Sequence, residues 1–166
     1  MITQLLKKKE LHFERSFAAP IEAVWSAWTE ADRLREWWHP DKTTVTDCEV
    51  DLRVGGRIFV ITLASDEMGK YAGTRWPMDG TFTRIDELRG LSYDAKSWTE
   101  GDEDSATITH TNVLTLSSEG ERTLVTLHVT ITDIGPKAKL AAFGMKWGYK
   151  SYLDALGKQL AGPPNH

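Results

Sequence analysis

The chain has one cysteine, Cys48, so no disulfide can form within it. Cys48 alternates with Thr46, Val50 and Leu52, a pattern that predicts a buried strand thiol and not a nucleophile. No apolar run approaches the roughly 20 residues of a membrane span. Between Met1 and Glu10 lie Leu5 and Leu6, but no apolar core long enough for a signal peptide. These absences predict a protein of the reducing cytoplasm with no membrane partner. Charge of either sign is also modest: 20 basic and 24 acidic residues leave a formal net charge of −4. That offers no field for a polyanion, so nucleic acid is not an expected partner.

Several chemical signatures are missing as well. There is no Walker loop, dinucleotide fingerprint or serine-elbow motif. The histidines are His12, His39, His110, His128 and His166, and none has another histidine, a cysteine or a carboxylate at a metal-ligand spacing. No metal and no cofactor is therefore expected. Gly55-Gly56 precedes a strand pattern, not a helix, so it reads as a hairpin whose glycines supply positive φ angles. The acidic stretch from Thr99 to Asp104 is too short for a calcium loop and reads as a solvated connection. Lys7-Lys8-Lys9 reads as a frayed basic end.

Tryptophan is what the chain has in abundance: Trp25, Trp28, Trp37, Trp38, Trp76, Trp98 and Trp147. Each indole brings a large apolar area and one N–H donor to be satisfied. Either they build a bulky core or several of them line a pocket.

Leu11–Phe17 alternates like a half-buried strand. Pro20 then suits the first turn of a helix, and Ile21, Val24, Trp25 and Trp28 form one helical stripe. A second short helix is expected from about Glu30 to Trp38, ended by Pro40. The period then falls to two. Strands are expected at 43–52, 57–64, 80–86, 91–98, 107–116 and 123–131, with residues 65–76 irregular. In the last of these strands Val125, Leu127, Val129 and Ile131 face one way, and Thr126, His128 and Thr130 the other. Asp94 and Lys96 share a face with Trp98 and read as an exposed cross-strand pair. Pro136 opens a final amphipathic helix on Tyr149, Leu153, Leu156 and Leu160, ended by Gly162-Pro163-Pro164.

The order is strand, two short helices, a run of strands, one long helix, with no βαβ alternation. That predicts an α+β fold: an antiparallel sheet of about six to seven strands curved around the C-terminal helix, in one domain spanning 1–166 with a core from about 11 to 161. Gly144 and Gly148 lie in the first half of that helix. They either loosen it as a gate or let it pack closely against its neighbours.

Three segments carry a resemblance: Ala19-Pro20-Ile21-Glu22-Ala23-Val24-Trp25, Leu34-Arg35-Glu36-Trp37-Trp38-His39-Pro40, and Asp51-Leu52-Arg53-Val54-Gly55-Gly56-Arg57. Gly80, Phe82, Thr123–Leu127 and Gly148-Tyr149 continue it. The chain resembles the homologues of the activator of the ninety-kilodalton heat-shock protein ATPase, within the START-like, helix-grip (SRPBCC) superfamily. His39 stands where that family usually has glycine, Tyr149 where it usually has tryptophan, and Gly73–Pro77 is a local elaboration. The eukaryotic activator carries a further N-terminal domain with no counterpart here. The resemblance implies the helix-grip fold and a place in the stress response, while this superfamily hosts binders, transporters and enzymes alike.

The expected function is binding or carriage of a small apolar molecule, aromatic or lipid-like, in a cavity between the sheet and the last helix. The residues expected to line it are Trp38, His39, Phe59, Trp76, Met78, Tyr93, Trp98, His110, Phe143 and Trp147, with His39 at the mouth. His110 and His128 are expected in adjacent strands, with hydrogen-bonded rings. A co-chaperone-like module docking on a chaperone or other protein is the first alternative, and a cyclase- or hydrolase-like enzyme the second. No acid–base pair is evident in the sequence, so no catalytic residue is assigned. A monomer and a homodimer are both compatible with the composition.

Overall fold

Strands with a buried and a solvated face need a partner layer, and the helices supply it. A computed structural model describes residues 9–161. Lys7, Lys8 and the Gly162-Pro163-Pro164 stop lie outside the described residues. The elements are β1 (Lys9–Phe17), α1 (Ile21–Thr29), α2 (Ala31–Leu34), β2 (Thr43–Val50), β3 (Arg57–Ala64), a 3-10 segment (Asp66–Tyr71), β4 (Arg75–Asp86), β5 (Gly90–Ser97), β6 (Ile108–Glu119), β7 (Arg122–Ile134) and α3 (Lys139–Leu160). The strands form one seven-stranded open sheet in the order β1-β7-β6-β5-β4-β3-β2. Every neighbouring pair is antiparallel.

β2 to β7 are a meander, but β1 joins its far edge, pairing Lys9 with Ile131 and Phe17 with Thr123. β1 and β2 therefore occupy opposite edges, and residues 18–42 must cross the whole sheet to connect them. That crossing carries α1 and α2 over the inner face, where α1 packs on β6 and β7. The α1 stripe works as its spacing predicts: Val24, Trp25 and Trp28 are buried, and Ile21 is half-buried. Pro20 sits one residue earlier than expected, as the extended residue before the first turn.

The second helix is shorter than its pattern suggests. Only Ala31–Leu34 is α-helical, and the chain then tightens through turns to Trp38. Burial of two consecutive indoles decides this, because neighbouring helical positions point about 100° apart. Trp37 and Trp38 are both buried, with ring centroids 5.4 Å apart. The Trp37 indole N–H donates to the Ala27 carbonyl at 2.9 Å.

Three further details depart from the sequence pattern. β4 begins at Arg75, well before Gly80, and pairs Trp76 with Thr62 of β3. In the β2–β3 connection only Gly55 has a positive φ, +87°; a Cβ at Gly56 would instead sit 2.1 Å from the Asp51 carbonyl oxygen. The two glycines thus answer two different demands, a left-handed turn and a close approach. Cys48 is half-buried, not buried, on edge strand β2, and burial pushes its thiol up to about 11.

α3 begins three residues after Pro136 and closes the inner face with Ala142, Tyr149, Leu153 and Leu156. The Phe13 and Tyr149 rings lie 5.7 Å apart, tying it to β1. The opposite side of α3 shows solvent a second stripe: Leu140, Phe143 and Trp147 are 78%, 70% and 64% exposed. An added Cβ at Gly144 or Gly148 meets no atom within 4 Å, which overturns the close-packing account of these glycines. Gly144→Ala and Gly148→Ala are each expected to stabilise the protein by about 0.5–1 kcal/mol through helix propensity. Denaturant midpoints will check this, and a loss of stability at either site would show that α3 packs more tightly than described.

Candidate functional site

The inner face is not filled everywhere. Where β3, β4 and β5 run out under the first half of α3, a cavity of about 150 Å³ remains. β3 contributes Val60 and Thr62, β4 contributes Trp76, Pro77 and Met78, and the end of β5 contributes Ser97, followed by Trp98 and Thr99. Ala106 and Ile108 close the side toward β6. α3 roofs it with Ala141, Met145, Gly148, Tyr149 and Tyr152, and Trp38 enters from the crossing segment. The early start of β4 is what brings Trp76 and Met78 to this wall. The Trp38 ring stacks on Tyr152 at 4.6 Å with a 20° tilt and meets Tyr149 edge-on at 5.9 Å. Ala141, Trp76, Trp98 and Met145 are exposed or half-exposed, so they form the mouth.

A line of polar groups runs back from half-buried Ser97 on the cavity wall to buried His110 and Asn112. Ser97 Oγ lies 2.9 Å from His110 Nε2. His110 Nδ1 lies 2.6 Å from Asn112 Oδ1, and Asn112 Nδ2 donates to the Tyr149 hydroxyl at 2.9 Å. With the Asn112 oxygen turned toward it, the His110 ring donates through Nδ1, and Nε2 accepts from the Ser97 hydroxyl. Burial lowers the His110 pKa, against the opposing hydrogen bond to Asn112, so the ring is neutral at neutral pH. Burial likewise pushes Tyr149 up to about 12 and raises Tyr152 and Tyr93 well above the ordinary phenol range. The Tyr93 hydroxyl is buried with no hydrogen-bond partner among the described residues.

The structure brings together four of the ten residues singled out from sequence: Trp38, Trp76, Met78 and Trp98 share the cavity wall. Tyr93 and His110 lie behind it, both buried on the inner face. The other four stand elsewhere. His39 folds back on its own turn, its ring nitrogens 3.3 Å from the Pro40 carbonyl oxygen and 3.2 Å from that of Glu36. Phe59 carries the Arg57 guanidinium 4.0 Å from its ring centre. Phe143 and Trp147 belong to the exposed face of α3. His110 and His128 do occupy adjacent strands, but His128 is partnered by Glu10 at 2.8 Å and sits beside His12, away from His110.

Sequence reasoning passed over Asn112, Tyr149, Tyr152 and Ser97 as site residues. Asn112 had a signal: with His110 it interrupts a strand face otherwise made of Ile108, Leu114 and Leu116. A polar residue there must be hydrogen-bonded, and its partner is then the thing to look for. Ser97 had none, because its place is set by where β5 ends. Among the described residues no group of three or more His, Cys, Asp or Glu is placed to hold a metal ion. No helix among them is long and apolar enough to cross a membrane.

Comparison with known proteins adds the following. The family model described as Activator of Hsp90 ATPase homolog 1-like protein matches residues 18–161. No curated protein matches the chain. Among solved structures, protein Ms6760 from Mycobacterium smegmatis is similar with a TM-score of 0.74 at 22% identity, over 96% of this chain and 98% of that one. Protein CV1439 from Chromobacterium violaceum gives 0.73 at 17% identity, over 93% and 99%. The AHSA1 protein SPO3351 from Silicibacter pomeroyi gives 0.70 at 19% identity, over 92% and 98%. At these identities the structures speak for a shared fold.

Proposed function

The chain belongs to the Activator of Hsp90 ATPase homolog 1-like family, and from that premise we propose that it binds or carries a small apolar molecule, aromatic or lipid-like, in the cavity beneath α3. The observation that carries this reading is the cavity itself, about 150 Å³ with Trp38, Trp76, Met78 and Trp98 on its wall. Apolar walls with a few convergent polar groups are the usual make-up of small-molecule sites. A space of that size holds one benzene-sized ring. The proposed ligand therefore presents a single ring or a short chain to the interior, and anything larger leaves through the mouth between Trp76, Trp98 and Met145. Binding of this kind suits a cytoplasmic carrier.

Indole serves as a probe. It is expected to change tryptophan fluorescence saturably, at one site per chain. Trp98→Ala or Trp76→Ala removes one aromatic contact, about 1 kcal/mol or roughly fivefold in affinity, without unfolding the protein. Changes that never saturate would overturn the cavity reading.

A second reading has its own observation. The Leu140, Phe143 and Trp147 stripe on α3 is apolar and faces solvent, and clustered exposed apolar side chains mark interaction surfaces. That favours a co-chaperone-like contact with another protein, compatible with ligand binding on the opposite side of the same helix.

A further inference from the structure

Ser97, His110 and Asn112 do more than fill a core. A hydroxyl at a cavity wall, hydrogen-bonded to a neutral imidazole that a third side chain orients, is the arrangement that activates a nucleophile. The parts are in sequence: Ser97 Oγ to His110 Nε2 at 2.9 Å, and His110 Nδ1 to Asn112 Oδ1 at 2.6 Å. Ser97 itself lines the cavity, whereas His110 and Asn112 are 1% and 0% exposed behind it. Asn112 is pinned in turn by the Tyr149 hydroxyl at 2.9 Å. The network reaches the cavity wall at Ser97, and with His110 donating to Asn112 through Nδ1, its Nε2 is free to take the Ser97 hydroxyl's proton. Resting on the cavity reading above, we propose that Ser97 is a nucleophile, His110 its general base and Asn112 the residue positioning that base, acting on small activated carboxylic esters of single-ring phenols.

The step balances as acyl transfer to water. Ser97 Oγ adds to the ester carbonyl carbon while its proton passes to His110 Nε2. Collapse of the adduct breaks the bond to the aryloxide, which leaves as the phenol with that proton. Water then adds to acyl-Ser97 as His110 Nε2 takes a proton from it. Collapse releases the carboxylic acid, and the proton returns to Oγ. The ring of the leaving phenol takes the place among Trp38, Trp76 and Trp98 that suits one aromatic ring. Burial makes His110 a weaker base than a solvated histidine, so the substrate must carry a good leaving group and turnover is slow.

Phenylmethanesulfonyl fluoride tests this, because its sulfonyl group traps an activated serine and its ring fits the cavity. The expected result is one sulfonyl group per chain, mapped to Ser97, with steady hydrolysis of 4-nitrophenyl acetate. Ser97→Ala should lose the label, and His110→Gln should slow labelling and hydrolysis by about a hundredfold or more. Asn112→Asp sets a carboxylate against the imidazole and should move the acid limb of the labelling rate to higher pH, a change that a merely structural role would not produce. Saturable indole binding with Ser97 unlabelled, or with label on other residues, would overturn the nucleophile and leave the cavity standing. Neither indole binding nor labelling would overturn both.

Discussion

Trp37→Ala is expected to cost about 3–5 kcal/mol of folding stability, as truncation of a fully buried indole does. Trp37 is 0% exposed. Its ring meets Trp28 edge-on at 4.7 Å and Trp38 at 5.4 Å, so one truncation removes two aromatic contacts as well as apolar burial. It also takes the donor from the Ala27 carbonyl at the end of α1, where no following helical turn can supply another. In a chain of this length each kcal/mol moves Tm by roughly 2–4 °C, so a fall of about 10 °C is the expected scale. Trp37→Phe keeps most of the burial and loses the N–H, and should recover more than half of the difference. A melting curve of the alanine variant close to that of the wild type would mean that the crossing segment does not bury this indole.

Asn112→Leu carries the second large effect. Leucine nearly matches the volume, so the cost is polar. His110 Nδ1–H loses its acceptor and the Tyr149 hydroxyl loses its donor, both in buried surroundings. Each buried group left unpaired costs about 1–3 kcal/mol, which puts the loss at about 2–6 kcal/mol in all. The double variant Asn112→Leu with His110→Leu removes both ends of the shorter bond and should be less destabilised than the sum of the two single changes. Urea midpoints for the two single variants and the double one decide this. A single-variant loss below about 1 kcal/mol would show that the network holds no buried unsatisfied group when Asn112 is absent.

The sheet was legible in the chain because period-two alternation reports directly which side of a strand is buried. Val125, Leu127, Val129 and Ile131 are all buried, and the intervening Thr126, His128 and Thr130 are only partly so. The α1 and α3 stripes were legible for the same reason at period 3.6. The site was half legible. Indoles could be counted, but nothing local distinguishes Trp98, at a cavity mouth, from Trp28, deep in the core. Trp147 makes the point from the other side. It lies two residues from Tyr149, yet on a helix that offset turns it to the opposite face, 64% exposed.

By itself the sequence determined the α+β class, the antiparallel strands and the two helical stripes, since each depends on spacing along a few neighbouring residues. Only the tertiary structure decided that β1 lies at the edge opposite β2. Strand order depends on which edges meet, and no local period encodes that. The same long-range placement decided that β4 starts early enough to bring Trp76 and Met78 to the cavity wall. It also set Ser97, at the end of β5, against His110 of β6, because a hydrogen bond between strands is fixed by register across the sheet and not by distance along the chain.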